Sequence, residues 1–337
     1  MKETLKHIAE KEMLEAFAGG EQFQEMVFAL LDQQKFVWQL ASKNYRSLKK
    51  MKIRTLEIDD VKIYLQYNAE RIKSTSAKVD EKSISERPCF LCEENLPPMQ
   101  VGVPFKDKYL ITVNPYPIFH HHFTIPLMGH SQQEIGPYFH DMLELAEQLP
   151  CLTIFYNGPK CGASAPDHFH FQAVTTGILP VERDAAKLNY TEPFFVTDKI
   201  NISVFKHYLR NGIVIKSPWA GEVEMAFAAL MDALPNKDNG EPMVNIITTH
   251  NEDQWQVIIM PRDKHRPECY YSSHDDNLLL SPAAVDMGGI CILPREEDFD
   301  KATPELIRQA YMEVTRSDIG FDSDLKRFSK RLKAIWP

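Results

Sequence analysis

The sequence predicts an α+β fold in which two blocks of strands and helices, similar in order but not in sequence, follow a helical N-terminal extension. Three observations carry this. Within residues 1–50, EQFQEMVFALLDQQKFVWQLASKNYRSLKK repeats apolar residues at helical spacing and contains neither Gly nor Pro. From IRTLEIDDVKIYLQYN onward the period falls to two, with Val61, Ile63 and Leu65 on one face of a strand. A succession of strands, a helix and further strands then occurs twice, which suggests a duplicated α+β unit. The chain divides on this reading into a helical extension (1–55), a first half (56–190) and a second half (191–337).

Each element follows from its pattern. Ser74 to Pro98 is polar and reads as loop. YLITVNPYPIFHHHFTIPLMGH reads as two strands split by a proline-marked turn, and SQQEIGPYFHDMLELAEQL as an amphipathic helix. CLTIFYN is a further strand, leading into CGASAPDHFHFQAV. In the second block ISVFKHYLRNGIVIKS supplies strands and AGEVEMAFAALMDALP a helix. PMVNIITTHNEDQWQVIIMPR is a hairpin turning at HNED, with Trp255, Val257 and Ile259 sharing a face and Trp255 assigned to a core. LLLSPAAVDMGGICILP is a strand pair, or a strand and a turn. TPELIRQAYMEVT is a helix started by Thr303, with Pro304 and Glu305 behind it.

Composition narrows the function classes. With Lys+Arg 38 against Asp+Glu 47 the formal charge is -9, which argues against a general affinity for nucleic acid. The first twenty residues carry charges throughout, with no apolar core like that of a signal peptide, and no run of about 18 apolar residues offers a membrane span. Six unevenly spaced cysteines do not look like a disulfide framework. A reducing cytoplasm is the expected home, where paired thiols suggest metal before disulfide.

The stretch CGASAPDHFHFQAV alternates polar and aromatic residues. On a strand, His168, His170 and Gln172 share one face and Phe169 and Phe171 the other. The rings can anchor the strand in a core; the polar face then serves chemistry or is merely solvated. In RPCFLCEEN, Cys89 and Cys92 supply half the donors of a tetrahedral zinc, but a redox pair or two unrelated buried cysteines fit as well. His120, His121 and His122 offer further ligands, or form an exposed turn. Two cationic clusters, Arg71 with Lys73 and Lys78, and Arg262 with Lys264, His265 and Arg266, read as anion sites or as solvated loops.

Taken in order, C-x-x-C, HHHFTIP and FYNGPKCGASAPDHFHFQ resemble the galactose-1-phosphate uridylyltransferase branch of the histidine-triad superfamily, over roughly residues 60–175. The resemblance implies a duplicated histidine-triad-like fold with an antiparallel sheet. It implies a structural zinc on Cys89, Cys92, His121 and His168, with His121 chosen because it lies three residues before Thr124. It makes His170 the nucleophile that takes the nucleotidyl group and Gln172 the hydrogen-bond partner of its phosphate. Asn157 and Ser164 fall at phosphate-contacting positions, and Arg71 and Lys78 where the family has anion-binding arginines. Asp167 makes SAPDHFHFQ one residue longer than the uridylyltransferase pattern.

The HFHFQ form is closer to GDP-hexose and diadenosine tetraphosphate phosphorylases, and SPAAVDMGGICILPREEDF is similar to the C-terminal signature of the GDP-L-galactose phosphorylase type. The implied activity is nucleotidyl transfer through a covalent nucleotidyl-His170 intermediate. A nucleoside-diphosphate-hexose phosphorylase stands first, a hexose-1-phosphate uridylyltransferase second and a dinucleoside polyphosphate phosphorylase third. The implied partners are a nucleotide sugar or nucleotide and a phosphate or sugar phosphate acceptor, and a homodimer is compatible with the resemblance. The non-enzyme reading is a zinc-stabilised nucleotide-binding protein.

Overall fold

Period-two alternation builds strands, and the computed structural model, which describes residues 7–17, 22–72, 79–236, 240–273 and 276–337, sorts them into two sheets. The strands are β1 (Lys52–Ile58), β2 (Val61–Tyr67), β3 (Gly102–Phe105), β4 (Tyr109–Val113), β5 (His122–Pro126), β6 (Leu152–Asn157) and β7 (His170–Thr175). They continue with β8 (Thr191–Val196), β9 (Asn201–Phe205), β10 (Ile213–Ser217), β11 (Val244–Asn251), β12 (Gln254–Pro261) and β13 (Ile290–Leu293).

The large sheet runs β3-β4-β5-β7-β6-β11-β12-β10-β9-β8, and its neighbours pair antiparallel throughout. Counted outward from the β6–β11 seam, the order is fourth, fifth, third, second and first strand on both sides. A helix, Phe139–Gln148 in one half and Ala220–Met231 in the other, separates the third strand from the fourth. The duplication expected from the sequence is therefore topological. In the small sheet β1 and β2 form a hairpin, and β13 joins β2 in parallel.

The alternation at residues 169–173 does what its period requires. Phe169, Phe171 and Ala173 are fully buried in a core with Phe123, Ile125, Ile154, Met142 and Leu145, beneath the helix Phe139–Gln148. The opposite face carries His170 and Gln172, and then Val174 in a second core with Phe155, Ile258 and Ile292. Trp255 is buried in the first core and donates its indole N–H to the Leu143 carbonyl at 3.0 Å. The hairpin at HNED turns through Glu252 and Asp253, both in the left-handed region at φ 52 and 59.

Several elements differ from expectation. The N-terminal helical stretch breaks at Trp38 (φ -102, ψ 103) into Phe23–Val37 and Gln39–Ser47. The short strands β3 and β8 and the helix Asp318–Ile335 were not anticipated. LLLSPAAVDMGGICILP forms a short helix, Ala284–Met287, and the single strand β13, because its strand partner is β2, far away in sequence. No helix among the described residues is long and apolar enough to cross a membrane.

Candidate active site and metal centre

The register of β7 builds the site. In antiparallel pairing, Gln172 lies opposite Thr124 on β5 and Phe155 on β6, so these side chains share a face. That face floors a cavity of about 320 Å³ whose walls include His170, Gln172, Asn157, Ser164 and Arg71. Lys78, the remaining substrate-binding candidate, lies outside the described residues, as does Lys73.

The entry of β7 is clamped by a residue that sequence reading missed. Gln133 is fully buried; its Oε1 accepts the His170 N–H at 2.8 Å, and its Nε2 donates to the carbonyls of Asn157 and His170, both at 3.0 Å. Truncation would strand buried backbone groups at about 1–3 kcal/mol for each one left unpaired. Gln133→Ala should therefore cost about 3 kcal/mol of stability, read as a lower urea midpoint at unchanged m-value.

His170 is held in one tautomer. Its Nδ1 lies 2.8 Å from the His168 carbonyl, and since a carbonyl only accepts, Nδ1 carries the proton. The lone pair is then on Nε2. Burial lowers the pKa of this imidazole to about 4, so the neutral ring prevails near pH 7. A neutral, oriented nitrogen in a polar cavity can serve as a nucleophile.

Fixed donors surround it. Asn157 Oδ1 accepts from Asn245 Nδ2 at 2.9 Å and from the Ala284 N–H at 2.7 Å, so its own NH₂ is the half not committed to these bonds. Gln172 Oε1 is engaged by His122 Nε2 at 2.9 Å. Ser164 stands in the cavity wall on the loop after Gly162, whose φ of 93 and lack of a side chain admit the segment Pro282–Ala283. A Cβ on residue 162 would come within 2.5 Å of the Ala283 Cβ. That contact brings the SPAAVDMGG segment to the site, with Ser281, Ala283, Val285 and Asp286 in the wall.

The cationic clusters resolve differently. Arg71 is half-buried at the cavity and donates to the Tyr116 carbonyl at 2.7 Å; desolvation of its guanidinium lowers its pKa to about 10, against the opposing pull of Asp286. Arg262 is a structural clamp, donating to Asn245 Oδ1 at 2.6 Å and to the carbonyls of Val314, Pro282, Lys264 and His265. Lys264 is exposed and paired with Glu268 at 3.0 Å. His265 and Arg266 line the cavity. Burial raises Asp286 to about 6, so near pH 7 it is still largely ionised; with two guanidinium groups, Arg71 and Arg266, against this one carboxylate, the wall still favours an anion.

A second cluster adjoins the start of β7. One donor atom from each of Cys89, Cys92, His130 and His168 lies within 4.8 Å of every other. Cys89 Sγ is 3.2 Å and Cys92 Sγ 3.5 Å from His168 Nδ1, and Cys92 Sγ is 3.1 Å from His130 Nδ1. Donors on one tetrahedral zinc stand about 3.5 Å apart, so the set could hold a metal ion. His168 Nε2 donates to the Leu127 carbonyl at 2.8 Å, which leaves Nδ1 unprotonated as a ligand must be. Burial and the adjacent Cys89 push the Cys92 thiol up to about 12, a penalty that a bound cation would reverse.

His121 is not part of this group. Its Nδ1 pairs with Thr175 Oγ1 at 2.9 Å and its ring meets Phe28 edge-on at 4.9 Å. The reason is register: His122 pairs with Val174 and Pro126 with His170, so His121 sits at the far end of β7 from His168, on the order of 20 Å away. The residue that follows β5 past the His170 end is His130, and it completes the set. The extra residue Asp167 also finds a role: it pairs with Arg87 at 2.9 Å, and Arg87 stacks 4.8 Å over Phe90, tying the cysteine loop to the approach of β7.

Known structures show the same architecture. Yeast Ap4A phosphorylase Apa2 in complex with Ap4A matches with a TM-score of 0.56 at 14% identity, over 82% of this chain and 96% of that one. The fold is histidine-triad-like. A second structure of the same yeast enzyme matches with a TM-score of 0.52 at 14% identity, over 83% of this chain and 94% of that one. Its complex with AMP gives 0.51 at 14% identity, over 82% and 95%. The family model of a domain of unknown function (DUF4922) matches residues 30–175. Comparison of the sequence with curated proteins gives no match.

Proposed function

We propose that the protein transfers a nucleotidyl group through a covalent bond to His170 Nε2, with inorganic phosphate as acceptor. The observation that carries this is the His170 tautomer, which directs a lone pair into a cavity with arginines in its wall. In the first step that lone pair attacks the α-phosphorus; a P–N bond forms as the bond to the leaving phosphate oxygen breaks, and the electron pair departs with that oxygen. In the second step a phosphate oxygen attacks the same phosphorus, and the P–N electrons return to Nε2. The NH₂ groups of Gln172 and Asn157, Ser164 and the guanidinium of Arg71, all lining the cavity, would stabilise charge on the phosphoryl oxygens, where one such donor is typically worth about 3 kcal/mol.

Likeness in fold to an enzyme named for Ap4A phosphorolysis puts a dinucleoside polyphosphate first as substrate. A nucleoside-diphosphate-hexose, which the sequence resemblance placed first, is the second reading. It is favoured by the SPAAVDMGG segment, whose residues line the cavity. Zinc is the metal we assign to Cys89, Cys92, His130 and His168, in a structural role: four protein donors leave no open position. Beside His170, such an ion would hold the cysteine loop, His130 and the start of β7 together.

The test is a panel of Ap4A, GDP-hexoses and UDP-hexoses, each incubated with and without phosphate or a hexose 1-phosphate. Phosphate-dependent consumption of one donor, with a nucleotidyl adduct by intact mass when the acceptor is omitted, is expected. Turnover that needs a sugar phosphate instead would make the protein a uridylyltransferase. No turnover and no adduct would leave a nucleotide-binding protein.

A further inference from the structure

We propose that His122 is a positioning residue, which holds the Gln172 amide with its NH₂ turned toward the reacting phosphoryl group. The inference rests on the nucleotidyl-transfer reading and adds to it a residue that never touches substrate. His122 is fully buried on β5, beside β7. Its Nδ1 accepts the Ile118 N–H at 3.1 Å, so Nδ1 bears no proton in the neutral ring. The single ring proton is then on Nε2, which donates to Gln172 Oε1 at 2.9 Å.

The consequence is directional. A glutamine amide can otherwise present either its oxygen or its NH₂ to a ligand, and the two ends differ little in shape. Here the reverse orientation would set an N–H against an N–H. The oxygen of Gln172 is therefore committed to His122. Its NH₂ makes no hydrogen bond within the protein among the described residues, and Gln172 lines the cavity with His170. A phosphoryl oxygen offers only lone pairs, so an NH₂ stabilises it and an amide oxygen would repel it.

The rest of the structure holds His122 in place. Tyr45, on the helix Gln39–Ser47, donates its hydroxyl to the His122 carbonyl at 2.9 Å. Asn44 donates to the Pro115 carbonyl at 2.7 Å, fixing the loop that supplies the Ile118 N–H. The N-terminal helical segment thus reaches the site through Tyr45, His122 and Gln172. Burial and the nearby Arg71 lower the His122 pKa to about 3, which keeps the ring neutral.

Two measurements test this. The first is a double-mutant cycle, with Ap4A and inorganic phosphate or, if Ap4A is not consumed, GDP-glucose and phosphate. His122→Phe should lower kcat about 10- to 30-fold with KM for the donor within about twofold, and His122→Gln, which restores an N–H near the Nε2 position, should recover most of the loss. Gln172→Ala should lower kcat comparably, and adding His122→Phe to it should change little more. Multiplying losses, or a His122→Phe enzyme with wild-type kcat, would overturn the proposal.

The second measurement needs no turnover and covers the case in which His122→Phe does not fold. Long-range ¹H–¹⁵N spectra of the wild-type chain should show His122 as the Nε2–H tautomer from about pH 5 to 8, and Gln172→Ala should move its resonances. An Nδ1–H or protonated ring, or resonances indifferent to Gln172, would overturn the proposal whatever the enzyme does. The expected spectra in a chain that consumes no donor would instead overturn the nucleotidyl-transfer reading, and with it the phosphoryl half of the proposal.

Discussion

His170→Ala should leave a folded protein with its metal bound and its turnover lowered by on the order of 10³-fold or more. Two neighbouring histidines on one strand invite the expectation that they act alike, but the geometry separates them. His168 directs Nδ1 to the two cysteines and Nε2 to the Leu127 carbonyl, so both of its nitrogens are occupied. His170 donates Nδ1–H to the His168 carbonyl and keeps a lone pair for the cavity. Removing the His170 ring leaves the Gln133 clamp intact, because Gln133 bonds to the backbone of residue 170. Melting temperature and zinc content should match the wild type, while single-turnover kinetics and intact mass should show no adduct. A His170→Ala chain that still forms the nucleotidyl adduct would place the nucleophile elsewhere.

Replacing both Cys89 and Cys92 by Ser should release about one zinc per chain and lower stability by on the order of 4 kcal/mol or more, since metal binding to such a set is also folding free energy. The two thiols meet His168 at the start of β7 and His130 beyond the end of β5, so losing the ion frees the cysteine loop from both strands. His130→Ala should likewise lose the metal, whereas His121→Ala should keep it, because His121 is engaged with Thr175 and Phe28 at the opposite end of the strands. Metal analysis together with thermal melts, before and after a chelator, reads all three variants. Stoichiometric zinc in the double cysteine variant would refute the centre, and zinc lost from His121→Ala but not from His130→Ala would reverse the ligand assignment. A kcat that falls in step with the fraction of folded chain would fit a structural ion, as four protein donors require.

Features that depend on local period and on chemical type were legible before folding. Alternation in HFHFQ set two rings into one core and two polar side chains on the other face, since a strand offers its side chains no third direction. The order C-x-x-C, histidine-rich strand and HFHFQ pointed to a histidine-triad-like fold, and the repeated order of strands and helices pointed to its duplication; both appear in the ten-stranded sheet. Thr303 read as a helix start is a side-chain cap, accepting from the Leu306 N–H at 3.3 Å.

Register and contacts distant in sequence, by contrast, exist only in the folded chain. Three adjacent histidines cannot be ranked by spacing alone. The pairing of Pro126 with His170 sends His121 to one end of the strands and His130 to the two cysteines and His168, and it leaves His122 beside Gln172. Had β5 and β7 been aligned antiparallel on paper, the end of one meeting the start of the other would have pointed to His130. No pattern within the sequence marks Gln133, whose partners are backbone atoms 24 and 37 residues away. Nor does any mark the approach of Ala283 to Gly162, which carries the C-terminal segment to the cavity lined by His170. Each of these contacts joins groups far apart in sequence, which meet only when distant strands pair.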